Sequence, residues 1–312
     1  MYIDIMKILY FCQEKCMENQ KNFYTLLVTL LFTACTSLDY IEKDYQKNVE
    51  KLQASQPYNS KTGDFQNRYM VEEEQASIIR KYFKENAGLD LEALAASEKS
   101  TWEKSLELAV FVAKNVPHDN QKEWLDDRSA ISLWEYSRRV KTGFNCRWHS
   151  ILLSELLLSA GIKNRFITCL PQDLDDGDCH VVNIVWLPEL NKWAMIDSDM
   201  VEFVTDDKGI PLSLAEMREE VIAGKTLNIN VLPGFEDSWV ARPSGLSYMQ
   251  AYWAKNLYWF TAHSTIGFNL EGSNRTLPDT YTALVPPDFD CSKSYKNGYE
   301  TSNEASFWDI EE

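Results

Sequence analysis

The chain has 312 residues, of which 45% are hydrophobic and 12% are aromatic. That content is enough for a packed core in one large domain or two small ones. The formal net charge is −16 at pH 7. Because a strongly acidic chain has no basic face to displace counterions from phosphates, nucleic acid is not expected as a partner.

The N-terminal segment contains a short apolar run, FYTLLVTLLF over residues 23–32, followed by Thr33, Ala34 and Cys35. About ten apolar residues are too few for a membrane span and are typical of a signal peptide. The ending LLFTAC resembles a bacterial lipoprotein signal, in which the cysteine is lipidated. We therefore expect a signal peptide over residues 1–34, a membrane-anchoring lipid on Cys35, and a place in the bacterial cell envelope facing periplasm or exterior. An ordinary cleaved signal and a short buried or anchoring helix are the alternatives.

Helical patterns dominate the next part of the chain. Residues 35–70 are polar and irregular, which is typical of a tether. Four segments with helical periodicity and a start or stop signal follow. They are 71–86 before Gly88, 101–116 after a capping box of Ser100 and Glu103, 130–141 after Ser129 or Ser132, and 146–160 before Gly161.

The apolar period then changes to that of β-strands. Short β-branched and aromatic runs separated by turn residues lie at 165–170, 179–187 and 192–198. Helices followed by a sheet predict an α+β fold. Further helices are expected over 214–223 and about 248–262, so that one domain covers 71–287 and a polar tail covers 288–312.

The second and third of these strands form a predicted hairpin. If its loop is Leu187 to Leu190, then Trp186 faces Asn191 and His180 faces Asp197. Directly opposite residues share a face with Cβ atoms about 4.5 to 5.5 Å apart. A carboxylate at that distance would orient the imidazole and favour its protonated form.

Cys146 begins the helical segment GFNCRWHSILLSELLLSAGI. The N-terminal end of a helix and a neighbouring imidazolium both favour a thiolate. The backbone N–H of Cys146 is also placed to help bind an oxyanion. Cys146, His180 and Asp197 therefore form a candidate Cys-His-Asp nucleophile system, which needs no cofactor.

The same residues resemble a known family. The sequence G-x-x-C146, L-L-x-E-L-L-L-x-A-G-I162, R165-F-I, H180 and W193-A-M-I-D197 is similar to the transglutaminase-like superfamily of papain-like thiol enzymes. The resemblance implies a cysteine-bearing helix packed on an antiparallel sheet. It also implies Cys146 as nucleophile, His180 as general acid and base, and Asp197 as the orienting carboxylate. The expected function is a cysteine peptidase or amidase, or an acyltransferase, acting on a peptide, protein or glycopeptide.

Other interpretations of these residues remain open. Asp199 is available on the same strand face as Asp197 as the orienting acid. Cys146 and His149 together with Cys179 and His180 are a possible zinc set, because thiolate and imidazole are common zinc ligands. The aromatic residues near 248–259 would either pack in the core or bind glycan or peptide. In the second case the domain would be a catalytically silent binding module.

Overall fold

The computed structural model describes residues 40–59, 67–273, 275, 280–293 and 298–309. The predicted signal peptide over 1–34 and Cys35 lie outside these ranges. The helices are α1 (40–54), α2 (Glu73–Ala87), α3 (Leu91–Ala95), α4 (Thr101–Asn115), α5 (Ala130–Val140), α6 (Cys146–Ser159), α7 (Leu214–Ile222), α8 (Pro243–Asn256) and α9 (Glu304–Trp308). None of these described helices has the length and apolarity needed to cross a membrane.

The strands form one large sheet and two small pairs. They are β1 (Arg68–Met70), β2 (Asn164–Leu170), β3 (His180–Leu187), β4 (Lys192–Ile196), β5 (Glu202–Thr205), β6 (Asn228–Val231), β7 (Trp259–His263), β8 (Thr265–Gly267), β9 (Tyr281–Leu284) and β10 (Gly298–Thr301). The large sheet has the order β10-β9-β7-β2-β3-β4. Neighbouring strands from β9 to β4 are antiparallel, and β10 joins β9 in parallel.

The central element is α6, which packs against β2 and β3 on one side and against α2, α4 and α5 on the others. Every residue from Trp148 to Ser159 is buried. Burial on all sides explains why apolar residues occur around the whole circumference of α6 rather than on one face. The predicted α+β fold, with a cysteine-bearing helix packed on an antiparallel sheet, is confirmed.

Local capping signals located several helices correctly. Ser100 and Glu103 form the predicted capping box at the start of α4. Ser129, rather than Ser132, caps α5. Gly88 adopts a left-handed conformation after α2, with φ of 67°, which glycine tolerates better than any other residue. These signals depend only on neighbouring residues, so they can be recognised without knowledge of tertiary contacts.

The predicted hairpin has a different register. Trp186 pairs with Trp193 and Leu187 with Lys192, so the loop comprises residues 188–191. Asn191 lies in this loop with φ of 51°, a left-handed conformation that asparagine tolerates. The predicted pairings of Trp186 with Asn191 and of His180 with Asp197 are therefore wrong. The shift is two residues, which keeps each side chain on its predicted face.

Two predicted polar segments also differ from the structure. Within the predicted tether of 35–70, residues 40–54 form α1, and its Tyr45, Val49 and Leu52 are buried at helical spacing. Within the predicted tail of 288–312, β10 extends the sheet and α9 buries Phe307 completely. In both cases a few apolar residues anchor a segment whose overall composition is polar.

The predicted helix over 248–262 is also wrong in its second half. Helix α8 starts earlier, at Pro243, and ends at Asn256. Residues Trp259–His263 form β7, which is paired on both sides in the large sheet. Aromatic and β-branched residues suit such a strand, and tertiary pairing decides between strand and helix here.

Candidate active site

Cys146 is the first residue of α6 and is partly accessible to solvent. The side chain of Asn145 caps the helix by accepting a hydrogen bond from the backbone N–H of Trp148, at 3.3 Å. Gly143 packs directly on the preceding loop, since an added Cβ would lie 1.5 Å from the carbonyl oxygen of Pro117. The sequence before the cysteine therefore fixes where α6 begins.

The structure brings His180 and Asp197 together in spite of the changed register. His180 Nε2 lies 2.6 Å from Asp197 Oδ2, and both side chains are about 1% exposed. Asp197 lies beyond the last pair of the β3–β4 ladder, where Asn183 faces Ile196. Its other oxygen accepts hydrogen bonds from the backbone N–H groups of Asp199 and Met200, at 2.8 and 3.1 Å. The carboxylate is thus held by a turn as well as by the imidazole.

Aromatic side chains of α8 enclose His180. The rings of Tyr252 and Trp253 meet the imidazole edge to face, with centroids 5.4 and 5.5 Å away. Burial alone would lower the pKa of His180, but the Asp197 carboxylate and the neighbouring Cys146 outweigh burial and raise it well above its ordinary value. The charged form of this imidazole is therefore favoured at neutral pH.

The thiol of Cys146 faces this imidazole. The sulfur, a ring nitrogen of His180 and a carboxylate oxygen of Asp199 all lie within 4.8 Å of one another. Because Asp197 occupies Nε2, the nitrogen left for the thiol is Nδ1, and a hydrogen bond between this imidazole and Cys146 helps to raise the pKa of His180. The structure therefore gathers Cys146, His180 and Asp197 at one place, with Asp199 added beside them.

Asp199 has a separate set of imidazole partners. His118 Nδ1 is 2.9 Å from both of its oxygens, and His149 Nε2 is 3.4 Å from Oδ1. These contacts outweigh the effect of burial and lower the pKa of Asp199, and the carboxylate in turn raises the pKa of His118. Asp199 orients His118, whereas Asp197 orients His180.

The role of His118 was not predicted from the sequence. This residue follows Pro117 in a loop, and its side chain is about half exposed. It reaches the site because residue 118 forms a backbone bridge with Phe144, two residues before the cysteine. No sequence spacing links residues 118 and 199, so this contact is visible only in the fold.

Another buried carboxyl lies beneath the pair of His180 and Asp197. Glu202 is fully buried, and its backbone exchanges two hydrogen bonds with that of Asp197. One side-chain oxygen accepts a 2.6 Å hydrogen bond from Trp253 Nε1. Burial, with a contribution from the charge of Asp197, raises the pKa of Glu202 to about 8. At neutral pH, therefore, Glu202 is protonated and adds no second negative charge beside Asp197.

The zinc set considered from the sequence is not assembled. Among the described residues, the close group of possible ligands is Cys146, His180 and Asp199, without Cys179 or His149. His149 is buried against Asp199, and burial lowers its pKa. Cys179 is partly buried, and burial raises the pKa of its thiol.

A family model matches part of the chain. Residues 91–198 match the family described as the transglutaminase-like superfamily, a range that contains Cys146, His180 and Asp197. No curated protein matches the chain.

Two solved structures overlap with it in part. A proposed cysteine protease of Cytophaga hutchinsonii is 19% identical over 43% of this chain and 39% of that one, with a TM-score of 0.29. A proposed protease of Parabacteroides distasonis is 14% identical over 40% of this chain and 26% of that one, with a TM-score of 0.25. The chain thus spans well under half the length of either protein, and TM-scores below 0.5 carry no inference about function.

Proposed function

We propose that the protein is a thiol acyl-transfer enzyme that acts on amide bonds, most simply as a cysteine peptidase or amidase. The match of residues 91–198 to the transglutaminase-like superfamily supports this proposal. The observation that carries this proposal is the meeting of Cys146, His180 and Asp197 at one partly accessible place. A thiol beside an imidazole that is itself held by a carboxylate is the arrangement that nucleophilic catalysis requires.

The reaction follows from the protonation states. The proton that the thiol shares with the imidazole lies on Nδ1 of His180 when the Cys146 sulfur attacks the amide carbon of the substrate. Asp197 holds Nε2 and stabilises the imidazolium that forms. The imidazolium then protonates the leaving amine as the carbon–nitrogen bond breaks, which leaves an acyl thioester on Cys146. His180 next removes a proton from the acceptor, and the acceptor displaces the sulfur.

The start of α6 provides for the negative charge that develops on the carbonyl oxygen. The first N–H groups of a helix have no acceptor within the helix and lie at its positive end. The backbone N–H of Cys146 is one of these groups. A donor at this position stabilises an oxyanion by about 3 to 4 kcal/mol in well-organised sites.

A row of aromatic rings favours a peptide as substrate. Trp239 and Tyr248 are each more than 40% exposed, with ring centroids 5.7 Å apart. Tyr248 stacks on Tyr252, and Tyr252 contacts His180. The row thus runs from the surface to the imidazole, and we propose that it contacts apolar side chains of the substrate next to the reacting amide. This use of the exposed rings differs from that in a binding module, because the row ends at the imidazole that faces the proposed nucleophile.

Covalent labelling tests the proposed nucleophile directly. An electrophilic probe that mimics a peptide amide should label the wild-type protein and fail to label Cys146→Ala. Cys179→Ala is the matched control, because its partly buried thiol has a raised pKa. It should be labelled as fast as wild type. Equal labelling of Cys146→Ala and wild type would remove Cys146 from the proposed role.

The acyl acceptor requires a second measurement. We propose water, so a peptide amide library should yield free carboxylates. Incorporation of a fluorescent primary amine into a glutamine-containing protein, without hydrolysis, would instead indicate a crosslinking enzyme. Both products require Cys146, so the acceptor is decided separately from the nucleophile.

We also propose that the enzyme acts at the bacterial cell envelope, anchored through a lipid on Cys35. The support is the sequence LLFTAC at the end of a short apolar run. Cys35→Ala should abolish incorporation of a labelled fatty acid and release the protein from the membrane fraction. Unchanged lipid labelling of this variant would refute the anchor and leave the catalytic proposal untouched.

A further inference from the structure

We propose that Cys146, His180 and Asp199 form a binding site for zinc or a similar soft divalent cation, and that the bound cation reversibly blocks the proposed nucleophile. One sulfur, one nitrogen and one oxygen lie within 4.8 Å of one another. Thiolate, imidazole and carboxylate are the three side-chain groups that bind zinc in proteins. The blocking role depends on the proposed function, whereas binding itself does not.

His180 supplies a second and independent observation. Its side chain is about 1% exposed, and among the described residues Nδ1 has no hydrogen-bond partner outside the proposed ligand group itself. A buried polar atom of this kind ordinarily costs free energy unless a ligand satisfies it. Asp197 fixes the opposite nitrogen, so Nδ1 is the ring atom left to bind a cation once its proton is displaced. Such a carboxylate–histidine arrangement also orients metal-binding imidazoles.

Hydrogen-bond partners outside the proposed ligand group also hold the carboxylate of Asp199 in place. His118 and His149 contact it at 2.9 and 3.4 Å. Carboxylates that bind metal ions are generally held by such outer hydrogen bonds. Asp199 therefore needs no rotation into the site, and the imidazoles restrain it whether or not a cation is bound.

Distances and charge both suit a small dication. With metal–ligand bonds of about 2.0 to 2.3 Å, tetrahedral ligand atoms lie roughly 3.2 to 3.8 Å apart. A pair of these atoms at the 4.8 Å limit would need to move together by about 1 to 1.6 Å. A thiolate and a carboxylate neutralise the two positive charges, and the partial exposure of Cys146 leaves a fourth position open to water.

The proton balance explains the blocking effect. When the thiol and imidazole share one proton, cation binding displaces it, so the site releases a proton as it takes up the metal. The sulfur lone pair and Nδ1 then both bind the metal. The thiolate can no longer attack an amide, and His180 can no longer transfer a proton.

Cobalt and zinc titrations of the full chain test binding without any substrate. After chelator treatment, Co²⁺ should produce a thiolate-to-cobalt charge-transfer band, and Zn²⁺ should remove it by competition. Asp199→Asn should weaken zinc affinity by about tenfold or more. Cys146→Ser should lose the band, whereas Cys179→Ser should keep it at wild-type affinity. A band that survives in Cys146→Ser, or zinc affinity unchanged in Asp199→Asn, would overturn the site.

Alkylation of the thiol tests the blocking role. Zinc should slow the labelling of Cys146 in wild type, and chelator should restore it. Inhibition by zinc would be refuted if zinc left the labelling rate of Cys146 unchanged or if labelling required the metal. If the metal site is wrong, Cys146 is still labelled in the absence of metal. If the proposed function is wrong, labelling of the protein does not depend on Cys146. The two failures are therefore distinguishable.

Discussion

Replacement of Glu202 by glutamine should flatten the dependence of stability on pH. The glutamine has the same shape and keeps an oxygen for the 2.6 Å hydrogen bond from Trp253, but it cannot ionise. In the folded protein the pKa of Glu202 is raised from 4.5 to about 8, chiefly by burial. The unfolded chain has no such burial, so its carboxyl ionises near the ordinary value.

The direction of the change in stability follows from the number of protons that the folded and unfolded states bind. Between about pH 4.5 and pH 8 the folded state keeps a proton on Glu202 that the unfolded state has released. Stability therefore falls as pH rises through this window, by about 1.4 kcal/mol per pH unit. Across the whole window the loss is on the order of 5 kcal/mol, a large part of a typical domain stability. Glu202→Gln removes this loss.

Urea unfolding at a series of pH values measures the effect. Glu155 provides a matched control, since it is also buried and its pKa is raised to about 7. Between pH 7 and 8, wild type and Glu155→Gln should both still lose stability, whereas Glu202→Gln should lose less by about 1 kcal/mol. Parallel stability curves for wild type and Glu202→Gln across pH 5 to 9 would refute the assignment of a proton to Glu202.

The remaining predictions concern the two acids of the site, the close contact at Gly143 and the cap of α6. Asp197→Asn should slow acyl transfer by about 100-fold or more because the imidazole loses its orienting charge, and Asp199→Asn should slow it less; equal losses in a peptide amidase assay would contradict the separate pairing of the two acids. Gly143→Ala should unfold at lower temperature, since its Cβ would lie 1.5 Å from a backbone oxygen, whereas Gly177→Ala, which meets nothing within 4 Å, should match wild type. Asn145→Ala should cost about 1 kcal/mol of unfolding free energy through loss of the helix cap, and an unchanged urea midpoint would show that the cap contributes nothing.

The parts of the fold that depend on local signals could be predicted from the sequence. The start of α4 at its capping box and the end of α6 before Gly161 are examples, because each depends on residues within one or two turns. The contact between His180 and Asp197 was predicted from a strand register that is partly wrong. The observed register differs from the predicted one by two residues, which leaves each side chain on its predicted face. The turn after β4 then places the Asp197 carboxylate against the imidazole.

The parts that depend on distant contacts could not be predicted. Residues 259–263 form a strand because β2 and β9 lie on either side, although the same aromatic residues suit a helix. The contact of His118 with Asp199 joins residues 81 positions apart through the close approach of two loops. Helices α1 and α9 were likewise not predicted, because their segments are polar overall and only a few buried side chains decide where they pack.

The burial of α6 on all sides has a consequence for how the protein moves. Local opening occurs where few apolar contacts resist it, and the least protected segments exchange their amide hydrogens fastest. An element enclosed by a sheet and three helices opens only when most of the domain opens. Cys146, in the first turn of α6, is therefore anchored to an element that we expect to exchange its amide hydrogens slowly.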